Sequence, residues 1–247
     1  MKERKGISGS TLKIIAIITM LIDHIGAGVL GRLLVVRGMN EAADLNAWID
    51  ANSTLVITYQ MMRFVGRLAF PIFCFLLIEG FEHTHDVKKY ALRLLSFCLI
   101  SEIPFDLLFN GKILESGYQN VFFTLLLGLF VIAGLHLVEQ HFAGTTVGKT
   151  ILRVGLNAVI ILTGCVLALV LKTDYDFKGI LAITVLYLFR NRKKAQMWAG
   201  VIIFLLMDSL EMFAALSFIL IWFYNGTRGR QNKYFFYFFY PAHLLFL

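Results

Sequence analysis

Long runs of apolar residues are the feature that most constrains how this chain can fold. The first run extends from Thr11 to Gly31 and reads TLKIIAIITMLIDHIGAGVLG. About 20 mainly apolar residues are enough for one helical crossing of a bilayer. Of the 247 residues, 58% are hydrophobic and 16% are charged, whereas soluble domains are about half apolar and a quarter charged. The sequence therefore predicts an all-α polytopic membrane protein.

Apolar segments recur along the whole sequence. We expect about nine transmembrane helices, within a range of about eight to ten, in a single domain that covers residues 1–247. The expected spans are 12–31, 62–81, 90–109, 119–140, 151–171, 177–190, 195–208, 212–224 and 233–247. The last four are short, which is typical of tilted, re-entrant or broken helices. The first span lacks a small-residue cleavage site, so we interpret it as a retained helix.

The distribution of basic residues predicts the orientation. With the N-terminus in the cytoplasm, 13 of the 23 lysines and arginines fall in cytoplasmic segments, 5 in outer segments and 5 within spans. Basic residues collect on cytoplasmic loops. We therefore expect a cytoplasmic N-terminus, an extracytoplasmic C-terminus and an acidic extracytoplasmic loop at 32–53, which carries a short surface helix or part of a substrate entrance. The same rule accounts for the net charge of +7, and we expect no nucleic-acid partner.

No pattern typical of a metal site or a disulfide framework is present. Cys74, Cys98 and Cys165 all fall in apolar runs, and the sequence has no CxxC motif. His83 and His85 form a His-x-His sequence in a short polar loop without clear partners. We therefore expect no metal.

The first apolar span contains an ionisable pair, Asp23-His24. Charged groups in a membrane are costly, so such residues are functional candidates by default. Histidine titrates near neutrality, and a neighbouring carboxylate can fix its tautomer. The pair alone is compatible with a general base, a proton relay or an ion site.

Further polar side chains fall in the outer half of the predicted bundle, several of them four residues apart on one helix face. They are Arg63, Arg67, Glu102, Asp106, Asn120, Thr124 and Asp174. Ion pairs between the two arginines and the carboxylates of span three would fix helix register, but an active-site or gating role is equally compatible. Asn120 and Asp174 also suit the start of a helix as capping residues.

The predicted cytoplasmic side has its own polar group. Glu79 ends the second span, and Lys88, Lys89 and Arg93 follow at the start of the third. A cationic pair four residues apart is a plausible phosphate clamp, or simply part of the basic inner surface. In the last span, His243 follows a run of phenylalanines and tyrosines, where a packing role and a functional role both remain open.

These polar motifs and the apolar runs around them resemble the TraX family. The similar segments are LKIIAIITMLIDHIG, GRLAFPIFCFLLIEGFEHT, KKYALRLLSFCLISEIPFDLLF, QNVFFTLLLG, DYDFKGIL and KYFFYFFYPAHLL. They cover most of the chain, apart from 32–53 and 142–170. The family is named for a conjugation protein that acetylates F-type pilin at its N-terminus. The resemblance therefore implies a multi-pass acetyltransferase of the bacterial cytoplasmic (inner) membrane.

The chain is more distantly similar to the membrane acyltransferases of the acyltransferase-three class. Those proteins carry a basic residue, ten intervening residues and a histidine in the first span, as Lys13 and His24 do here. They also carry a serine-glycine pair at the end of an early span, where this chain has Glu79 in place of the serine. Their basic RxxR-type motif corresponds to the KxxxR of Lys89 and Arg93. This similarity implies acyl-coenzyme A as donor and a catalytic His24.

Together these observations predict acetyl transfer from acetyl-CoA to an amine or hydroxyl of a peptide or pilin N-terminus, an envelope glycan or a lipid head group. We expect His24 to be the general base, with Asp23 either orienting it or pairing with an arginine of span two. Candidates for coenzyme binding are Lys13, Lys88, Lys89 and Arg93. Candidates for substrate or oxyanion contacts are Arg63, Arg67, Glu79, Glu102, Asp106, Asn120, Asp174 and His243.

A proton-coupled transporter or flippase is the alternative function, because intramembrane Asp, His, Arg and Glu side chains also suit a proton relay. Such transporters often contain inverted repeats with paired broken helices. The sequence shows neither, which favours the enzyme.

Overall fold

The chain folds into a bundle of helices. The computed structural model describes residues 5–144, 146–230 and 233–247. Within these ranges the extended pairing consists of two isolated bridges, Ile7–Tyr224 and Gln119–Thr173. The prediction of an all-α protein is confirmed.

The α-helices run in the following order. They are α1 (Gly9–His24), α2 (Gly31–Val36), α3 (Leu45–Ala51), α4 (Ser53–Gly66), α5 (Ala69–Glu82), α6 (Val87–Asn110), α7 (Val121–His141), α8 (Val147–Val170), α9 (Asp176–Leu188), α10 (Lys193–Leu205), α11 (Ser217–Trp222) and α12 (Lys233–Phe246). A π-helical segment, Ile25–Leu30, joins α1 to α2, and 3₁₀ turns cover Met39–Glu41 and Glu211–Leu216.

Four helical runs in the described residues are long and apolar enough to cross a membrane. They are Gly9–Val36, Ser53–Glu82, Val121–His141 and Val147–Val170. Shorter apolar helices occur at Glu211–Trp222 and Phe235–Phe246. The expected number of about nine spans stays a prediction.

The first helical run continues further than predicted. It was expected to end at Gly31, but 31–36 is helical because the apolar sequence LLVV continues the pattern, and the run ends before Gly38, whose φ is +82°. The predicted loop 32–53 therefore begins with helix. It also contains α3, whose start is capped by the Asp44 side chain accepting hydrogen bonds from two backbone N–H groups.

The second run begins earlier than predicted. The expected span 62–81 starts instead at Ser53, because the segment TLVITY at 54–59 is apolar enough to extend the helix. Only two residues separate α4 from α5. Arg63 and Arg67 therefore lie in the middle of a long helical run and not at its beginning.

The bundle has two ends that differ in composition. At one end, the Tyr224 hydroxyl donates to Glu79, and Arg190 forms ion pairs with Glu82 and Glu139. We call this the N-terminal end, because Ile7 pairs with Tyr224 there. Helix α1 leads from it to His24, so we call the other the His24 end.

Candidate functional site

A cavity of about 250 Å³ lies at the His24 end. Polar and aromatic side chains both line it. The polar side chains are Asp23, His24, Arg63, Arg67, Tyr118 and Asp174. The aromatic side chains are Phe70, Phe73, Phe105, Phe109 and Tyr175. The structure thus gathers five of the predicted site residues around one space.

His24 is the last residue of α1 and directly precedes the π-helical segment. Single π-helical turns are rare and are frequent at functional sites. The imidazole Nδ1 lies 2.7 Å from Nε2 of His243. Its ring also meets Phe109 and Tyr240 edge-on, with centroids 5.5 and 5.8 Å away. The His24 ring is therefore held between aromatic groups and a second histidine.

The Asp23 carboxylate pairs with Arg63 of α4 and with Arg67, which directly follows α4. Its Oδ2 lies 2.7 Å from Arg63, and its Oδ1 lies 3.6 Å from Arg67. Of the two alternatives expected for Asp23, the structure shows the pair with the arginines; successive residues on a helix point about 100° apart, which directs Asp23 away from His24. The expected alternative, pairing with an arginine of span two, is confirmed. Gly66 makes it possible, since a Cβ there would collide with the Asp23 side chain.

Arg67 forms a second buried ion pair that the sequence reasoning missed. Its Nη1 lies 2.7 Å from Oε1 of Glu211, and the two side chains are 11% and 8% exposed. It also lies 3.5 Å from the Tyr175 hydroxyl. A carboxylate in the apolar segment LEMFAAL is itself an unusual signal, and the rule that singled out Asp23 would have found Glu211.

The predicted pairs between the two arginines and the carboxylates of span three are wrong. Asp106 instead accepts from the backbone N–H of Glu115 at 2.7 Å and from Asn110 at 3.1 Å. Glu102 accepts from the Asn120 amide at 2.5 Å. Both carboxylates are buried and brace the connection between α6 and α7.

Asn120 caps the start of α7, which was one of the two roles predicted for it. Its Oδ1 accepts a hydrogen bond from the backbone N–H of Phe122 at 3.0 Å. Its amide also donates to the Cys98 carbonyl at 2.9 Å. These contacts satisfy the side chain, which is 0% exposed. An oxyanion contact by Asn120 stays an untested prediction.

The turn between α8 and α9 brings Asp174 to the cavity. Three residues in this turn, Lys172, Tyr175 and Asp176, have φ values of +52°, +67° and +46°. Such conformations cost side-chain-bearing residues about 1–2 kcal/mol each and persist only where surrounding contacts enforce them. One such contact is the stack of Tyr175 on Phe70, with ring centroids 3.6 Å apart.

Asp174 accepts hydrogen bonds from residues outside this turn, and its side chain does not cap α9. The Tyr118 hydroxyl donates to its carboxylate at 2.5 Å, and the Thr124 hydroxyl donates to its backbone carbonyl. Burial raises the pKa of Asp174 to about 6, although the Tyr118 hydroxyl and the Arg67 charge oppose this shift. Asp174 thus takes up a proton at a higher pH than an ordinary aspartate does.

The predicted coenzyme-binding cations lie away from this cavity. Lys88, Lys89 and Arg93 are exposed near the start of α6, where Lys89 lies 3.4 Å from Asp86. Lys13 lies over the Phe236 ring at 5.6 Å. It precedes His24 by 11 residues, or about 16 Å along α1.

Glu79 also belongs to the N-terminal end. Its carboxylate accepts from the Tyr224 hydroxyl at 2.9 Å, and it is not among the cavity residues. The structure therefore divides the predicted residues into two groups at opposite ends. Across the described ranges, no group of three or more His, Cys, Asp or Glu side chains is arranged to hold a metal ion.

Comparisons with known proteins point to one family. The family model described as TraX protein matches residues 8–247. The chain is also 30% identical over 275 residues to the probable fimbrial assembly protein FimC, serogroup H1, of Dichelobacter nodosus. That alignment covers 100% of this chain and 97% of the relative. No solved structure matches the chain.

Proposed function

This chain belongs to the TraX family, and from that premise we propose that it is an integral membrane acetyltransferase. It moves an acetyl group from cytoplasmic acetyl-CoA to an amine or hydroxyl of an extracytoplasmic or membrane-associated acceptor. The bacterial cytoplasmic membrane is the proposed location, with the N-terminus inside, as the 13-to-5 distribution of basic residues favours.

The observation that carries the proposal is the shared cavity of one histidine and two arginines. His24, Arg63 and Arg67 all line it. Acyl transfer needs a base for the acceptor and donors for the developing oxyanion, and these side chain types supply both. The carboxylates of Asp23 and Glu211 balance the two guanidinium charges, so the arginines can remain buried.

The proposed reaction is direct transfer. His24 takes the proton from the acceptor nitrogen or oxygen as that atom forms a bond to the thioester carbonyl carbon. Arg63 and Arg67 face the oxygen that gains negative charge. The carbon–sulfur bond then breaks, and the proton on His24 passes to the departing thiolate. The products are the acetylated acceptor and free coenzyme thiol.

The N-terminal end supplies the proposed donor site. Lys88, Lys89 and Arg93 are exposed cations, and the pair of Lys89 with Asp86, at 3.4 Å, is long for a strong ion pair. The phosphates of acetyl-CoA would bind here and near Lys13. The pantetheine arm would bridge the roughly 16 Å between Lys13 and His24.

The acceptor is proposed to enter from the His24 end. A second cavity of about 200 Å³ shares Arg67, Tyr118, Asp174 and Tyr175 with the first. Its remaining lining includes Asp176, Asp208 and Glu211, together with Lys178. This acidic surrounding suits a positively charged amine. Since the relative from Dichelobacter nodosus is named for fimbrial assembly, a fimbrial or pilin subunit is our first choice of acceptor.

Incubation of membranes with acetyl-labelled acetyl-CoA tests this function. We expect label on an amine of a membrane-associated or fimbrial protein, and at least about a 100-fold slower transfer after His24→Ala with unchanged membrane insertion. Label on a glycan or lipid would change the identity of the proposed acceptor and would still support the proposed reaction. Proton-dependent uptake without acetyl-CoA binding would overturn the enzyme in favour of a transporter.

A further inference from the structure

We propose that His243 is a positioning residue that holds His24 in the tautomer with its proton on Nδ1 and its lone pair on Nε2. The inference rests on the proposed role of His24 as base. It assigns the function that Asp23 was expected to have to a residue 219 positions further along the chain.

The hydrogen-bond chain begins at a backbone carbonyl. Nδ1 of His243 lies 2.8 Å from the carbonyl oxygen of Phe239, one turn earlier on α12. A carbonyl oxygen only accepts hydrogen bonds, so Nδ1 of His243 must carry a hydrogen. In a neutral imidazole the other nitrogen, Nε2, then has a lone pair and no hydrogen.

The polarity of the next contact follows from this assignment. Nε2 of His243 lies 2.7 Å from Nδ1 of His24, a distance that requires one hydrogen between the two nitrogens. Since Nε2 of His243 is the acceptor, Nδ1 of His24 is the donor. Nε2 of His24 is left with its lone pair, which is the form that a general base needs.

His243 remains neutral because of what surrounds it. Its side chain is 6% exposed and stacks on Phe239 with centroids 5.0 Å apart. Beside its partner His24, the carboxylates of Asp23 and Glu211 are already paired with Arg63 and Arg67. A charged His243 would add a positive charge that these pairs do not balance, which a buried site does not favour.

Packing of α12, the last helix, holds His243 in position against His24. Tyr240, one turn before His243, meets both His24 and Phe122 edge-on, with centroids 5.8 and 5.0 Å apart. His243 is not among the cavity-lining residues, so it acts through His24. In a Ser-His-Asp triad the aspartate fixes the tautomer in the same way, but here a neutral imidazole does so.

Three substitutions test the role of His243. His243→Gln keeps an oxygen acceptor near the Nε2 position, and His243→Asn and His243→Phe do not. We expect the kcat of acetyl transfer to fall about 100-fold or more in the Asn and Phe variants, with KM for acetyl-CoA changed less than about threefold. His243→Gln should stay within about tenfold of the wild-type kcat.

His141 offers a matched control. Its Nδ1 makes the same one-turn bond, to the Leu137 carbonyl at 3.0 Å, but the side chain is exposed at the end of α7. His141→Phe should leave kcat unchanged. Equal kcat for His243→Phe and the wild type would overturn the positioning role. In that case, slow acetyl transfer by His24→Ala in the same assay would still support the proposed function.

Nitrogen-15 NMR of histidine-labelled protein in detergent gives a second measurement that does not depend on turnover. We expect the signals that disappear in His24→Ala to include an unprotonated Nε2 and a protonated Nδ1. A protonated Nε2 on His24 in the wild type would overturn the proposal, even if the Phe variant fails to fold.

Discussion

The two candidate sites, which lie at opposite ends of the bundle, hold their cations in different ways. At the His24 end, Arg67 is 11% exposed and pairs with Glu211, which is 144 positions away in sequence. At the N-terminal end, Lys89 is 79% exposed, and its partner Asp86 is three residues away. The first arrangement is built by the tertiary fold and has a fixed geometry. The second provides charge without fixed geometry, which suits a mobile phosphate ligand better than a reacting centre.

Removing the buried partner of Arg67 should show most strongly how the two sites differ. Glu211→Ala leaves Arg67 without its 2.7 Å ion pair, and breaking such a buried pair costs about 3–5 kcal/mol. We expect a large fall in the thermal midpoint in detergent, together with loss of acetyl transfer. The measurement is thermal unfolding of the purified protein, followed by the labelled-acetyl assay.

Asp208→Ala is the control for Glu211→Ala. Asp208 forms an ion pair of the same length, 2.7 Å to Lys178, but its side chain is 64% exposed. Exposed pairs contribute about 0–1 kcal/mol. Similar midpoints for the two variants would contradict the assignment of a structural and electrostatic role to the buried pair.

Neutralising Asp174 should change how stability depends on pH. Its pKa of about 6 exceeds the usual value of 3.8, so the folded state binds more protons than the unfolded state between these values. The contribution of Asp174 to stability therefore falls as pH rises from about 4 to 6 and then levels off. Asp174→Asn should be more stable than the wild type at pH 8, by at most about 3 kcal/mol, and lose this advantage toward pH 4.

Thermal midpoints across that pH range check the Asp174 prediction. Asp208→Asn provides the comparison, because its carboxylate is exposed in the same region. An advantage of Asp174→Asn that grows as the pH is lowered would reverse the expected sign and contradict it.

A glycine at the His24 end offers a steric test of the same site. Gly66→Ala places a methyl group against the Asp23 side chain and so disturbs the pair with Arg63. Overpacking of this kind costs about 1–3 kcal/mol. We expect slower acetyl transfer and a lower thermal midpoint.

Gly155→Ala serves as its counterpart, because nothing lies within 4 Å of a Cβ at that position of α8. Alanine is favoured over glycine in a helix by about 0.5–1 kcal/mol, so this variant should be slightly more stable. If Gly66→Ala behaves like Gly155→Ala, the Asp23 carboxylate has room to move and its position is not critical.

The sequence was sufficient for the fold class and for five of the polar residues that line the cavity. Runs of apolar residues predict helices directly, and a charge inside such a run is easily recognised. The spacing of Arg63 and Arg67 correctly placed both on one helix face. It did not reveal their partners, because a periodic pattern describes one helix and not its neighbours. Asp23 and Glu211 are brought to the arginines only by tertiary packing.

The boundaries that were wrong have a similar cause. The short helix at Leu45 agrees with the surface helix expected within residues 32–53, but the first span continues to Val36 and the second already begins at Ser53. The contact between His24 and His243 is the extreme case, because 219 positions separate them. The sequence contained both histidines but no signal that the first and last helices meet.

The smallest change in activity is expected from substitutions at the N-terminal end, and these substitutions test directly whether the two sites differ in function. Lys89→Ala and Arg93→Ala remove exposed cations, so we expect KM for acetyl-CoA to rise several-fold, by about 1 kcal/mol, with kcat and the thermal midpoint unchanged. The effect should shrink in high salt, since exposed charges are screened. Lys149→Ala, an exposed cation near the start of α8, controls for a general loss of basic charge. If Lys149→Ala raises KM equally, or if the first two variants change only the orientation in the membrane, these cations act as inside anchors. The two sites would then differ in function as well as in the burial of their cations, with substrate chemistry confined to the His24 end.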